Sequence, residues 1–515
     1  MTGLRRFAAN AAVLTATSLS VGAAGVIFGA WLTRNLGEEG MGLYGLMMAV
    51  YRFAVTLASA GAGLVATALV AQEEAKSDPA GETEAMEKTV LYGAFFGLAA
   101  MALLWSLSDF AARALVGDAR AAMPLRVLSW SLPFVSLSGA LSGWFTAVRR
   151  LVPSSLAMIF EQLSQMAFTT AVFAVIRPSD LGTACVLAAA GSTASEMMSF
   201  FLFLALYIGD RRRHPAAALP GRGVKRDMTG RVLRIGLPVA ASNCLRSALS
   251  TVKHLMVPVS LQKSGLTAPQ ALAEYGLVGQ MVLPVLLFPC AFLLGFSNLM
   301  VPEMARYREK RMYAAIRRAI EYVFRLTLMF AIWVAAALVA FGGELGKVLY
   351  GSAEAGAYIR ALAPVVTVMY LDSAVDGILK GLGQQVAVVR YNVYDTALCV
   401  LAVWLLVPVA GVPGYMGVVV CSEVFNMTLS AGRLIAVVDF RVDMVRWALL
   451  PAVAAALAFG AAKAAAACLP GENAAVLAGA GLFAAAAYFA LLLLMRCIKK
   501  KDLELAAGVF RRQPL

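Results

Sequence analysis

Residues 474–495 read Ala474-Ala-Val-Leu-Ala-Gly-Ala-Gly-Leu-Phe-Ala-Ala-Ala-Ala-Tyr-Phe-Ala-Leu-Leu-Leu-Leu-Met495, an apolar run without a single charge, closed by Arg496. A helix needs about 20 such residues to cross the hydrocarbon of a bilayer. Similar runs recur back along the chain, at 10–33, 41–70, 88–108, 124–147, 151–176, 181–209, 232–258, 274–301, 319–342, 360–380, 386–409, 413–436 and 445–468. Strands of a membrane barrel would be about ten residues long with strict alternation, and no such pattern occurs. The expectation is an all-α integral membrane protein of about fourteen transmembrane helices. Composition agrees: 61% of the 515 residues are hydrophobic, 14% are charged, and the mean hydropathy is +0.77. A soluble domain carries about 25% charged residues.

The net charge of +14 invites a nucleic-acid reading, which its placement excludes. With both termini inside, most of the 44 Lys and Arg fall in cytoplasmic segments, densest at Arg211–Arg213, at Arg306, Arg308, Lys310 and Arg311, and at Lys499–Lys501. That bias orients helices during insertion. Seven cysteines stand singly in or beside apolar spans, without CxxC spacing, and two histidines, His214 and His254, cannot build a metal site. No metal or cofactor is expected. The first span, after Arg5 and Arg6, is longer than a signal-peptide core and lacks an Ala-x-Ala site, so it reads as an anchor.

The chain repeats itself. Tyr44-Gly45-Leu46 opens span two and Tyr275-Gly276-Leu277 opens span eight, 231 residues later. Gly117, Arg126 and Gly143 align with Gly351, Arg360 and Gly377 at an offset of 234. The expected organisation is a six-helix repeat over 1–209, a basic cytoplasmic linker at 210–231, and a second repeat over 232–440. Two extra helices and a basic tail follow over 441–515. Repeats with an even number of helices are parallel, with the substrate site at their interface.

Ionisable residues inside a span cost about 2.5–3.5 kcal/mol on insertion scales and usually face a cavity or a partner. Span seven carries Asn243, Arg246, Ser250 and Lys253 on one stripe, with His254 beside it; span ten carries Asp372, Asp376 and Lys380 at every fourth position. Arg52 lies in span two, Glu161 in span five, Glu196 in span six, Asp395 in span eleven, and Glu423 with Asn426 in span twelve. Arg52 and Arg246 have nothing acidic within one turn, which makes them, with Lys253, the candidates for holding an anion. Asn243, Glu161, Glu196, Asp372, Asp376, Asp395 and Glu423 are cavity-polar candidates for coupling to a monovalent cation. The bland alternatives are helix–helix hydrogen bonds for any single polar residue, local pairs for Asp372–Asp376–Lys380 and Glu321–Arg325, and snorkelling for Lys253 and Lys463. Pro238, Pro258, Pro284 and Pro289 are expected to interrupt spans seven and eight, and Gly22, Gly25 and Gly29 to soften span one. Walker loops, helical His-Glu-x-x-His and paired external carboxylates are missing, which argues against an enzyme.

Several segments carry a family resemblance: Leu32-Thr-Arg-Asn-Leu-Gly-Glu-Glu-Gly-Met-Gly-Leu-Tyr44, Pro258-Val-Ser-Leu-Gln-Lys-Ser-Gly-Leu266, Ala273-Glu-Tyr-Gly-Leu277, Leu283-Pro-Val-Leu-Leu-Phe-Pro289 and Val301-Pro-Glu-Met304. Over essentially its whole length the chain resembles the multidrug/oligosaccharidyl-lipid/polysaccharide exporter superfamily, in the polysaccharide-transporter branch of stage V sporulation protein B-like proteins and lipid II flippases. The resemblance implies a MATE-like fold in the plasma membrane. It also implies flipping of an undecaprenyl-pyrophosphate-linked saccharide, such as lipid II or a spore-cortex precursor, among membrane lipids and cell-wall synthesis enzymes. Lipid II flippases place cavity arginines on their first and second helices; Arg52 matches on helix two, whereas span one here has none. The rival readings are a cation-coupled multidrug exporter of the same fold and a membrane glycosyltransferase or polymerase.

Overall fold

The computed structural model describes residues 2–213, 227–438, 440, 443–467, 474–495 and 497. Most of the basic linker and the basic tail lie outside the described residues. The described chain is helical almost throughout, without a strand. Among those residues nine helices are long and apolar enough to cross a membrane. Two of them each join two expected spans across a glycine kink, at Gly37 in Thr2–Ser59 and at Gly411 in Gln385–Val437. Expected spans four, seven and fourteen are helical too, the fourth split into Ala122–Ser129 and Leu132–Ala147. All fourteen expected spans therefore fall on helix, consistent with the sequence count.

The chain packs as two compact units, one of residues 23–28 and 35–276, the other of 1–22, 29–34 and 277–515. Packing units need not coincide with sequence repeats. Here the packing boundary lies inside span eight, between Gly276 and Leu277.

In the first unit, span two is not the continuous helix that its apolar run suggests. Ala60 (φ 42) and Gly61 (φ 74) turn left-handed and separate Thr2–Ser59 from Ala62–Ala75. A left-handed alanine costs about 1–2 kcal/mol. The freed Ala60 carbonyl is not left bare, because the Tyr92 hydroxyl donates to it at 3.0 Å. Around the break Val65, Leu69, Leu141, Phe145 and Val232 form a buried apolar core. At the other end of span two, Gly42 and Gly276 bring two helices into backbone contact. A Cβ on Gly42 would collide with the Leu272 carbonyl, and one on Gly276 would lie 2.5 Å from both Glu38 O and Gly42 N. Beyond the membrane the Arg120 guanidinium joins Glu39 and Asp118, each at 2.7 Å. Partial burial pushes the Asp118 carboxyl up, but the Arg120 side chain and backbone N–H outweigh it and hold that carboxyl below the usual carboxylate range.

In the second unit, Ile320, Phe324, Val375, Ile378 and Leu379 form one core. Ala455, Phe459, Ala462 and Tyr488 of the extra helix pair pack on Met329 and Phe341. The Tyr488 hydroxyl donates to Met329 O at 2.8 Å, and Lys463, rather than only snorkelling, donates to Ala340 O at 2.9 Å. Span eight breaks around Pro284 and Pro289, as expected. Pro238 and Pro258, by contrast, sit inside one unbroken helix, Met228–Lys263, since each proline removes one helical hydrogen bond and a long membrane helix tolerates that loss. The aligned glycines share one geometry: Gly117 (φ 79) and Gly351 (φ 69) each end a helix left-handed. Each is followed by a side-chain cap, Asp118 accepting from Arg120 N and Ser352 from Ala355 N.

Two stability measurements follow. Gly42→Ala overpacks a backbone crossing and should cost about 1–3 kcal/mol, seen as a lower Tm in detergent, whereas Gly25→Ala, with nothing within 4 Å of its Cβ, should not lower Tm. Because the folded Asp118 carboxyl is depressed, its contribution is present above the ordinary carboxylate value and lost as pH falls through the folded one. Asp118→Asn should therefore lower Tm at neutral pH, with the gap closing in strong acid.

Candidate functional site

The cationic candidates share the first unit. Span seven runs antiparallel along span two: Thr56 Oγ1 donates to Ser247 Oγ at 3.2 Å, and Thr251 Oγ1 to Ala49 O at 3.2 Å. These two contacts bracket Arg52; Arg246 adjoins Ser247 at one end of that stretch and Lys253, about two turns from Arg246, lies beyond Thr251 at the other. Arg52 and Arg246 are exposed, while Lys253 and Asn243 are half-buried. Among the described residues none of the three cations makes an ion pair. Arg52 lies within electrostatic range of Tyr44 and His254, and Lys253 within range of His254. His254 Nδ1 is 3.1 Å from the hydroxyl of Tyr275, which is fully buried.

Glu161 and Glu196 belong to the same unit and lie within electrostatic range of each other. Ser199 Oγ donates to Glu161 Oε2 at 2.9 Å, and beside that bond Gln165 Nε2 donates to Ser192 Oγ at 2.8 Å. Tyr51, next to Arg52, faces both carboxylates electrostatically and bonds Ser131 at 2.6 Å. The unit thus holds cations and carboxylates, and among the described residues no ion pair joins Arg52 to either glutamate.

The acidic candidates of the second unit form a separate cluster. Asn426 Nδ2 donates to Asp372 Oδ2 at 2.9 Å, and both side chains are more than nine-tenths buried. Asp372 Oδ1 and Asn426 Oδ1 are buried without a hydrogen-bond partner. An orphaned buried acceptor costs about 1–3 kcal/mol, and here two stand on bonded neighbours. Asp376, Asp395 and Glu423 lie within electrostatic range of Asp372. Asp376 is engaged by Lys380 at 3.8 Å and Ser430 at 3.4 Å, and Asp395 by Ser422 at 2.7 Å. The local Asp376–Lys380 pair is therefore present, while Asp372 turns to span twelve. Among the described residues no group of three His, Cys, Asp or Glu side chains could hold a metal ion.

Of the remaining candidates, Glu321 takes its bond from Arg317 Nε at 3.0 Å, and Arg325 lies over the Tyr322 ring. Sequence periodicity missed the Asn426–Asp372 bond, the Glu161–Ser199 bond and Tyr92. Each is a contact between helices, and spacing along one helix does not name its neighbour.

A family model described as polysaccharide biosynthesis protein matches residues 7–261. Stage V sporulation protein B of Bacillus subtilis (strain 168) is 23% identical over 480 residues, covering 92% of this chain and 92% of that protein. The chain fits the polysaccharide-transporter branch of the multidrug/oligosaccharidyl-lipid/polysaccharide exporter superfamily. The similarity throughout is to membrane transporters and flippases of that superfamily. Solved structures support the fold. Lipid II flippase MurJ in an inward closed conformation superposes with a TM-score of 0.70 at 11% identity, over 94% of this chain and 98% of that one. An inward-facing multidrug resistance MATE family transporter gives 0.65 at 15% identity, over 83% and 98%.

If Asp372 and Asn426 form one unit, Asp372→Ala and Asn426→Ala should each lower Tm, and the double variant should fall short of the sum by about 1–3 kcal/mol. Additive losses would separate the two residues.

Proposed function

We propose that the protein carries an undecaprenyl-pyrophosphate-linked saccharide, lipid II or a related cell-wall or spore-cortex precursor, from the inner to the outer leaflet of the plasma membrane. Its termini are cytoplasmic in this reading, and the outer leaflet delivers the saccharide to cell-wall synthesis enzymes. The observation that carries the proposal is the set of three cations, Arg52, Arg246 and Lys253, that lack ion pairs among the described residues and lie in one part of the first unit. A membrane interior does not retain uncompensated cations without use for them. Full-length similarity to a sporulation protein supports the choice of a lipid-linked saccharide over other anions.

The chemistry follows from the groups. A pyrophosphate leaving water needs replacement donors and opposite charge, and guanidinium forks match pairs of phosphate oxygens. Arg52 and Arg246 supply the forks and Lys253 a mobile point charge; Asn243, one turn before Arg246, can donate to the sugar. The polyprenyl tail stays in lipid while the headgroup crosses. Access then alternates by movement within the transporter. In this reading Asp372 takes a proton, or Asp372 Oδ1 and Asn426 Oδ1 together take a monovalent cation, and the unpartnered acceptors with Asp376, Asp395 and Glu423 in electrostatic range support it. Glu161 and Glu196 offer a second protonatable pair in the unit that holds the cations.

The same acidic clusters favour a second reading, a cation-coupled multidrug exporter of the same fold, in which the carboxylates and not the arginines meet the substrate. A leaflet-accessibility assay in proteoliposomes separates the two. Wild type should move fluorescent lipid II, and Arg52→Ala should lose roughly tenfold or more in initial rate, the worth of one charge-assisted hydrogen bond. Equal rates for Arg52→Ala, Arg246→Ala and wild type would remove the anion site. Transport of cationic drugs without lipid II would establish the exporter.

A further inference from the structure

Span seven and the approach to span eight touch span two at four levels, and the levels differ in kind. At the outer end the approach to span eight interlocks with the start of span two, backbone against backbone, at Gly42, Leu272 and Gly276. Such a contact has no side chain that can let go. One level in, the contacts are the two single hydroxyl bonds, Thr251 to Ala49 and Thr56 to Ser247. Next, both helices are weakened at the same height. Span two breaks at Ala60–Gly61, and the Cβ position of Gly61 lies 2.9 Å from Val239 Cγ1, next to Pro238, which removes a helical hydrogen bond from span seven. At the cytoplasmic end an ionic contact lies at the rim of the apolar core that Met228 and Val232 share with Val65 and Leu69. Arg231 Nη1 donates to Glu73 at 2.7 Å and Nη2 to Gln72 at 2.8 Å, while Lys76 donates to the same Glu73 at 2.8 Å. Glu73 is 1% exposed.

We propose that this series is a built-in latch and pivot: the cytoplasmic segments 62–75 and 228–237 swing apart at the Ala60–Gly61 and Pro238 level when Arg231 leaves Glu73, while the Gly42–Gly276 interlock holds the outer ends together. The order of strengths supports it. A charged pair at the cytoplasmic rim can exchange its partner for water, whereas the interlocked glycines cannot separate without dismantling the unit. Lys76 makes release feasible, because it keeps Glu73 paired after Arg231 has gone. The buried carboxylate is then never left without a cation, which would be the costly state. Arg231 closes the linker in the first turn of the helix Met228–Lys263, so its release frees that helix end directly.

The inference does not depend on what is carried, and its test contains no substrate. Two spin-label pairs are placed on a background lacking the native cysteines, Glu74→Cys with Arg234→Cys across the latch and Glu38→Cys with Pro269→Cys across the interlock. Pulsed dipolar spectroscopy reads both distances in wild type and in Glu73→Gln. The inner distance should lengthen and broaden in Glu73→Gln while the outer one stays a single narrow population. The charge-exchanged double variant Glu73→Arg with Arg231→Glu should return the inner distance toward wild type. Where Glu73→Gln does not fold, Arg231→Lys keeps the charge but loses the second bond to Gln72, and should give the same shift at smaller amplitude. An inner distance unchanged in the folded variant, or an outer distance that moves with it, overturns the proposal.

Discussion

A backbone carbonyl in hydrocarbon has no water to turn to, and this constraint shapes the chain from end to end. It makes the chain helical almost throughout, and it makes every break in a helix an event that needs a partner. The break in span two is the informative case. Ala60 and Gly61 leave the helical region in the middle of the apolar run, and Tyr92 reaches across from span three to take the Ala60 carbonyl. With that partner supplied, the break is stable, and it sits where span seven carries Pro238 beside Val239. The position of flexibility is set by which carbonyls have a substitute donor.

The same low-dielectric setting sorts the charges. The first unit holds Arg52, Arg246 and Lys253 without ion pairs among the described residues. The second holds Asp372, Asp376, Asp395 and Glu423, with Lys380 and Ser430 on Asp376, Ser422 on Asp395 and Asn426 on Asp372, while Asp372 Oδ1 and Asn426 Oδ1 are buried without a hydrogen-bond partner. The polar balance therefore differs between the two: cations without ion pairs among the described residues in one, and two buried acceptors without donors in the other.

Much of this was legible in the sequence because membrane helices announce themselves by length and composition. The spans, the lone arginines of spans two and seven, and the acidic stripe of span ten could all be read from one strand of text. Helical periodicity says which residues share a face, so the Asp376–Lys380 pair was foreseeable. It does not say which helix stands opposite, so the Asp372–Asn426 bond, the Glu161–Ser199 bond and the Arg231–Glu73–Lys76 cluster were not. The break at Ala60–Gly61 had a signal in the run Ala60-Gly-Ala-Gly63, but small residues are common in membrane helices and the run reads equally well as close packing. Pro238 and Pro258 misled in the other direction, since they read as interruptions in a helix that passes through both.

The central claim is that uncompensated cations of the first unit receive a lipid-borne pyrophosphate. The most direct measurement is native mass spectrometry of the purified protein with undecaprenyl pyrophosphate and undecaprenyl phosphate in competition, for wild type and the double variant Arg52→Ala with Arg246→Ala. The account predicts that wild type prefers the pyrophosphate lipid and that the double variant loses this preference while still binding lipid. Equal preference in both proteins would contradict it.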